Sequence, residues 1–223
     1  MIKIERPKIV NTGSHSILQA HITIESKRDL VWFKVSKEYG EYLCYERGDA
    51  FLIAVLNYAM RNKYDVVSEA PISEDLYYNL ETYLIDALCA YNPSFYRVKI
   101  SAQVESSKII SENAVGTGIS CGVDSLHAVC CQTGTKFQNH NITHLMFNNV
   151  GSHGEGDVAR ELYLKRIDSP LKFAKEYNYK FVATDSNIMD VIKQDHFKTH
   201  TYSSIFAVYC MQKLFSVYFY ASA

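Results

Sequence analysis

Residues 120–125 read Ser-Cys-Gly-Val-Asp-Ser, a run that combines small residues, two hydroxyls and one carboxylate. Small residues let a backbone come close to an anion, and the hydroxyls of Ser120 and Ser125 add donors. Asp124 is different, because an ionised carboxylate only accepts hydrogen bonds. It either holds Mg²⁺ against phosphates or caps a helix. An apolar run, residues 114–119, precedes these six residues, and Leu126, Val129 and Cys130 follow at helical spacing. The pattern predicts a strand, a tight loop and a helix. Such a junction aims backbone N–H groups and the positive end of a helix at one spot, which suits a phosphate. The plainer alternative is an ordinary strand-to-helix turn capped by Asp124 or Ser120. Two other phosphate patterns fail. No lysine follows the glycine as G-x-x-x-x-G-K-[ST] requires, and Gly116, Gly118 and Gly122 do not have G-x-G-x-x-G spacing.

The six residues resemble the pyrophosphate loop, S-G-G-x-D-S, of the PP-loop ATP pyrophosphatase superfamily (adenine nucleotide alpha hydrolase-like proteins). Ser120, Gly122, Asp124 and Ser125 match, and Cys121 stands where that family usually has glycine. A Cβ at a residue with positive φ costs roughly 1–2 kcal/mol, so either Cys121 has ordinary dihedrals or the loop carries strain. The resemblance implies an enzyme that cleaves ATP between its α- and β-phosphates, adenylates an acceptor and releases pyrophosphate. An amine, ammonia or sulfur nucleophile then displaces AMP. It also implies that residues Ser120, Cys121, Gly122, Val123, Asp124 and Ser125 cradle the phosphates, with Asp124 positioning Mg²⁺. Phe147, Asn148, Asn149 and Gly151 would bind the adenine side. Basic groups from a later loop, Lys198 and His196, would stabilise charge on the transferring phosphoryl group. Asp124, Ser125, Lys198 and His196 are thus the candidate catalytic residues, and ATP and Mg²⁺ the expected cofactors.

The elements that must position these residues fall into two halves. In residues 16–26 and 30–43, apolar and polar positions alternate as in a hairpin. A helix is expected over residues 47–61, a strand over 64–70, a second helix over 74–90 and a strand over 95–104. Together they make a small α+β domain, residues 1–112, with polar residues 106–113 as the link. Residues 113–223 alternate strand and helix, which predicts an α/β domain with a parallel, Rossmann-like (HUP-type) sheet and helices on both faces. Its strands are expected at 114–119, 143–149, 179–184 and 216–222. Pro170 marks a helix start, so residues 150–178 should hold two helices. In such sheets ligands bind beyond the carboxyl ends of the strands. Three polar strand ends qualify: residues 120–125, 148–151 and 185–187. The loop Gly-Ser-His-Gly-Glu-Gly, residues 151–156, either closes over the ligand or is a mobile surface loop.

Composition narrows the partners. A formal net charge of −1 and the lack of a basic run argue against nucleic acid, and a small-molecule acceptor is the partner that the resemblance implies. The six cysteines form no C-x-x-C and the N-terminus lacks an apolar signal region, so reduced thiols in a cytoplasmic protein are expected. Residues 205–223 are very apolar, but Gln212 and Lys213 interrupt them, which favours a buried helix and strand over a membrane span. His196 and His200 are four apart, a metal-compatible spacing that lacks a third ligand. The fourth strand at the end of the chain leaves sheet surface to cover. That suggests a truncated enzyme or a homo-oligomer, and a non-catalytic nucleotide-binding module is the alternative to an enzyme.

Overall fold

A computed structural model describes residues 1–221. Two short strands, β1 (Ile2–Ile4) and β2 (Lys8–Asn11), lead into a long hairpin of β3 (His15–Ile24) and β4 (Lys27–Ser36). The alternation explains the hairpin: Leu18, Ala20 and Ile22 of β3 and Val31, Phe33 and Val35 of β4 are all buried. The second strand ends earlier than expected, because residues Lys37–Tyr42 coil into a 3-10 helix that buries Tyr39. Helix α1 (Asp49–Asn62) follows, then β5 (Val66–Ser68) and β6 (Ile72–Ser73). Next comes α2 (Glu74–Asn79), which runs through a π-helical turn at Leu80–Leu84 into α3 (Ile85–Tyr91).

The strand expected over 95–104 shrinks to β7 (Ile100–Ser101) and β8 (Val104–Glu105). The Tyr96 N–H donates to the Met60 carbonyl and the Lys99 N–H to the Asp65 carboxylate, so neither is free to join a ladder.

The second half alternates as its pattern predicts: β9 (Ala114–Gly118), α4 (Val123–Cys131), β10 (His144–Asn149), α5 (Gly156–Arg166), α6 (Asp168–Glu176), β11 (Lys180–Ser186), α7 (Ile188–Ile192), α8 (His196–Cys210) and β12 (Phe215–Phe219). Two helices do fill residues 150–178. Pro170 is the third residue of α6 rather than the first, still within the turn whose N–H groups have no intrahelical acceptor. Ser222, the expected end of the last strand, lies outside the described residues.

One sheet runs in the order β12-β9-β10-β11-β4-β3-β1-β5-β7, with β2 also pairing β3. The run β12-β9-β10-β11 is parallel, and β11 meets β4 antiparallel. Strands from both sides of residue 112 therefore share one hydrogen-bonded sheet. Successive residues of each parallel strand feed opposite faces. Val115, Leu145 and Phe147 pack with Val129 of α4, Tyr163 of α5 and Ala174 of α6. Ala114, Met146 and Val182 pack with Phe206, Ala207 and Cys210 of α8. The result is an α/β fold whose helices flank a mostly parallel sheet, compatible with a Rossmann-like arrangement. No helix among the described residues is long and apolar enough to cross a membrane.

The order of connection sets where a ligand could sit. From β9 the chain crosses by α4 to β10 on one side, whereas β12, on the other side of β9, arrives last. That reversal beside β9 is a topological switch point, and the crevice outside the strand ends there is the usual ligand position in open α/β sheets.

A buried histidine marks the other end of the parallel strands. His144, the first residue of β10, packs edge-on to Tyr39 and Phe215, and its Nδ1 lies 2.8 Å from the Thr143 hydroxyl. Burial, and then the charge of Lys180, push its pKa down to about 4.

Candidate functional site

A cleft of about 260 Å³ lies at the switch point, between the ends of β9, β10 and β12 and the first turns of α8. Ser120 and Ser125 form its loop wall, and Phe147 and Asn148 its β10 wall. His196 and His200 face it from α8, and Tyr218 and Tyr220 from the end of β12.

The loop is held by its own hydroxyls. Ser125, 6 % exposed, accepts the Ser120 N–H at 3.3 Å and donates to the Gly122 carbonyl at 3.0 Å. Ser120 Oγ accepts the Gly122 N–H at 3.2 Å and lies 3.3 Å from Ser125 Oγ. Gly122 is the N-cap of α4 and no side chain caps that helix, so Asp124 does not serve as a cap. The first N–H groups of α4, from Val123 onward, have no intrahelical acceptor and remain available to an anion.

Cys121 resolves the choice posed by the sequence: its φ is +58°, so the backbone is left-handed where S-G-G-x-D-S has glycine. A cysteine there carries the Cβ penalty of roughly 1–2 kcal/mol. The side chain packs against the core beneath α4, and burial raises the thiol pKa. Cys121→Gly is expected to raise stability by about 1 kcal/mol, and Cys121→Val to lower it by a similar amount. Urea unfolding of the two variants checks this, and equal midpoints would remove the strain.

The other expected residues divide. Asn148 lines the cleft, and its Oδ1 accepts the Thr184 hydroxyl at 2.7 Å. Phe147 stacks on Tyr163 with ring centroids 5.1 Å apart. Asn149 turns the other way, donating to the Asp185 carboxylate at 2.7 Å. Gly151, at φ +123°, lies against His196 and Met189 beneath the cleft. Val123 is 84 % exposed. Asp124 is also exposed, is not part of the cleft wall, and has no hydrogen-bond or ion-pair partner among the described residues. A free carboxylate of this kind fits Mg²⁺, which takes one or two carboxylates together with phosphates and water. No group of three His, Cys, Asp or Glu side chains converges as a metal cage among the described residues.

Lys198 stands apart from the cleft. His196, His200 and Ser204 recur every four residues and share one face of α8. Lys198, two residues from His196, is about 200° away around the helix. Its ammonium, 69 % exposed, pairs with Asp195 at 3.5 Å. The third polar strand end is also taken: Ser186 donates to the Trp32 carbonyl, and Asn187 bonds the Trp32 N–H and the Leu30 carbonyl, both at 2.8 Å. These residues fasten β11 to β4 rather than facing a ligand.

His196 is the most distinctive group in the cleft. Its Nδ1 is buried without a hydrogen-bond partner. Burial, and then His200, lower its pKa, so the ring is neutral at pH 7. His200 Nδ1 lies 2.6 Å from the Tyr220 hydroxyl. Within the loop 151–156 the Gly154 N–H donates to the Gly151 carbonyl, and the Gly156 N–H ties the far end to Asp190 at 2.7 Å. Sequence reasoning missed Tyr218 and Tyr220, although their two-residue spacing on a strand already puts them on one face.

Comparison of the chain with known protein families, with curated proteins and with solved structures finds no match.

Proposed function

We propose that the cleft binds ATP and that the chain is an AMP-forming ligase or transferase of the PP-loop type, on a HUP-like sheet. The observation that carries this reading is the left-handed backbone at Cys121. It gives S-x-G-x-D-S the conformation for which glycine is suited, at a strand-to-helix junction beside a switch point.

In this reading the N-terminal N–H groups of α4 and the Ser120 hydroxyl take the departing pyrophosphate, and Ser125, whose proton goes to the Gly122 carbonyl, holds the loop in shape. Asp124 would hold Mg²⁺, which would supply neutralisation of the phosphate charge. The β10 edge at Phe147 and Asn148 receives the base. An acceptor oxygen attacks the α-phosphorus, the bond from that phosphorus to the bridging oxygen of the β-phosphate breaks, and pyrophosphate leaves. A nucleophile then displaces AMP from the adenylate. The protein contributes orientation and charge stabilisation. His196, neutral and lining the cleft, can donate one hydrogen bond to a phosphoryl oxygen, a role that Lys198 is not placed to share.

A non-catalytic nucleotide-binding module is the second reading, favoured by the positions of Asp124 and Lys198 outside the cleft wall. Calorimetry with Mg-ATP tests binding. Saturable binding is expected, and Ser125→Ala and Asp124→Ala should each weaken it by about tenfold or more, which is about 1.4 kcal/mol. Absence of ATP, AMP and pyrophosphate binding at millimolar ligand defeats both readings. Pyrophosphate release with a panel of carboxylate and carbonyl acceptors separates the enzyme from the module.

A further inference from the structure

A second cleft, about 290 Å³, lies at the opposite end of the sheet from the loop, between the starts of α1 and α2 and residues 105–109. Gln212 lines it in the turn that enters β12, whereas Tyr218 and Tyr220, at the far end of that strand, line the first cleft.

Arg47 lines this cleft and is only 7 % exposed. Its Nη2 donates to the Ser107 carbonyl at 2.8 Å and the Ser107 hydroxyl at 3.0 Å. Its Nε is buried with no acceptor. Arg28, Arg97 and Arg160 each meet a carboxylate, and Arg47 meets none among the described residues. A buried guanidinium with unused donors is costly unless an anion completes it.

The nearby acids are not free to do so. Asp49, fully buried, accepts the Ser73 N–H at 2.8 Å and Gln212 Nε2 at 3.0 Å. Glu105 is held below the usual carboxylate range first by hydrogen bonding from Ser107 and only last by the charge of Arg47. On the outer wall, the exposed carboxylates of Glu74 and Asp75 form no ion pair among the described residues. The cleft thus offers one buried guanidinium, and a rim on which Glu74 and Asp75 outnumber the exposed ammonium of Lys108. A polyanion would meet a rim of net negative charge, and a simple amine would leave the guanidinium without a counter-charge.

We infer that this cleft is a site for a free α-amino acid. The ligand carboxylate pairs with Arg47 through Nη1, the guanidinium nitrogen that Ser107 leaves open, and its ammonium faces Glu74 and Asp75.

Calorimetry with the individual α-amino acids, against acetate, methylammonium and inorganic phosphate, tests the assignment on the whole chain. At least one amino acid is expected to bind saturably at millimolar concentration or below. Arg47→Lys keeps the charge but loses the planar guanidinium that presents Nη1, and the Glu74→Gln/Asp75→Asn pair alters only exposed side chains. Each should weaken that binding by about tenfold while Mg-ATP binding stays as in the parent. Failure of every amino acid to bind, leaving Arg47 to water, overturns the inference. So does acetate or phosphate binding as tightly as the best amino acid, or binding unchanged in both variants. The ATP reading concerns the other cleft, so each can fail without the other.

Discussion

Gly151→Ala is expected to lower stability by about 3 kcal/mol, summing backbone strain of 1–3 kcal/mol and overpacking of 1–3 kcal/mol. The backbone at Gly151 has φ +123°, a region L-residues rarely enter. A Cβ built there falls 2.6 Å from His196 Nδ1 and 2.7 Å from Met189 Cγ. Met189 is buried on α7 and has no easy retreat, whereas the half-buried His196 ring can give way only into the cleft it lines. The His196 ring is therefore expected to be pushed into the cleft, where it would narrow the space for a ligand. Two readouts are expected to move together, the urea midpoint and the affinity for Mg-ATP. His196→Ala in the Gly151→Ala background should restore part of the stability by removing the clashing ring. A Gly151→Ala protein as stable as its parent would show that the loop after β10 is not packed as described.

Acid should unfold the protein through His144. Its pKa falls to about 4 in the folded chain, against an ordinary 6.5. The unfolded chain binds the proton first as pH drops, so stability rises with pH across this window. The contribution is fully present above pH 6.5 and is lost as pH falls towards 4. At 1.36 kcal/mol per pH unit, the full loss is about 3 kcal/mol. His153 and His196, both lowered mainly by burial, act in the same direction. Urea titrations at pH 7, 6, 5 and 4 measure the slope. His144→Gln should flatten it, and an unchanged slope in that variant would assign the acid sensitivity elsewhere.

The residues explain which parts of this architecture could be read from the chain. Local patterns sufficed where one period dominated. The alternation of Leu18, Ala20 and Ile22 marked β3, and the strand–loop–helix pattern around Ser120 placed the loop at a strand end. Long-range choices were not legible. Nothing in Asp185, Ser186 and Asn187 distinguishes ligand contacts from the clasp they make with β4, since small polar side chains serve either use. Cys121 looked like a departure from glycine, yet its left-handed backbone shows that the neighbouring hydrogen bonds, not the residue type, set the loop. Lys198 seemed close to the cleft in sequence, but helical phase turned it away. The segment 95–99 alternates like a strand, but its N–H groups were claimed by Met60 and Asp65.

The clasp between β4 and β11 also fixes an order of assembly. The Trp32 N–H and the Asn187 side chain that receives it are 155 positions apart, whereas β3 and β4 close over a two-residue turn. Loop-closure entropy makes the near pairing the early event and the distant one late. During synthesis, then, the hairpin waits with one flank of β4 bare until residue 187 has been made. Lys27, Arg28 and Lys34 give that flank charges of a kind that discourage strangers from docking on an open strand. Lys34 later meets Asp185 at 3.0 Å. The same ammonium that guards the unfinished edge becomes a fastening of the finished one.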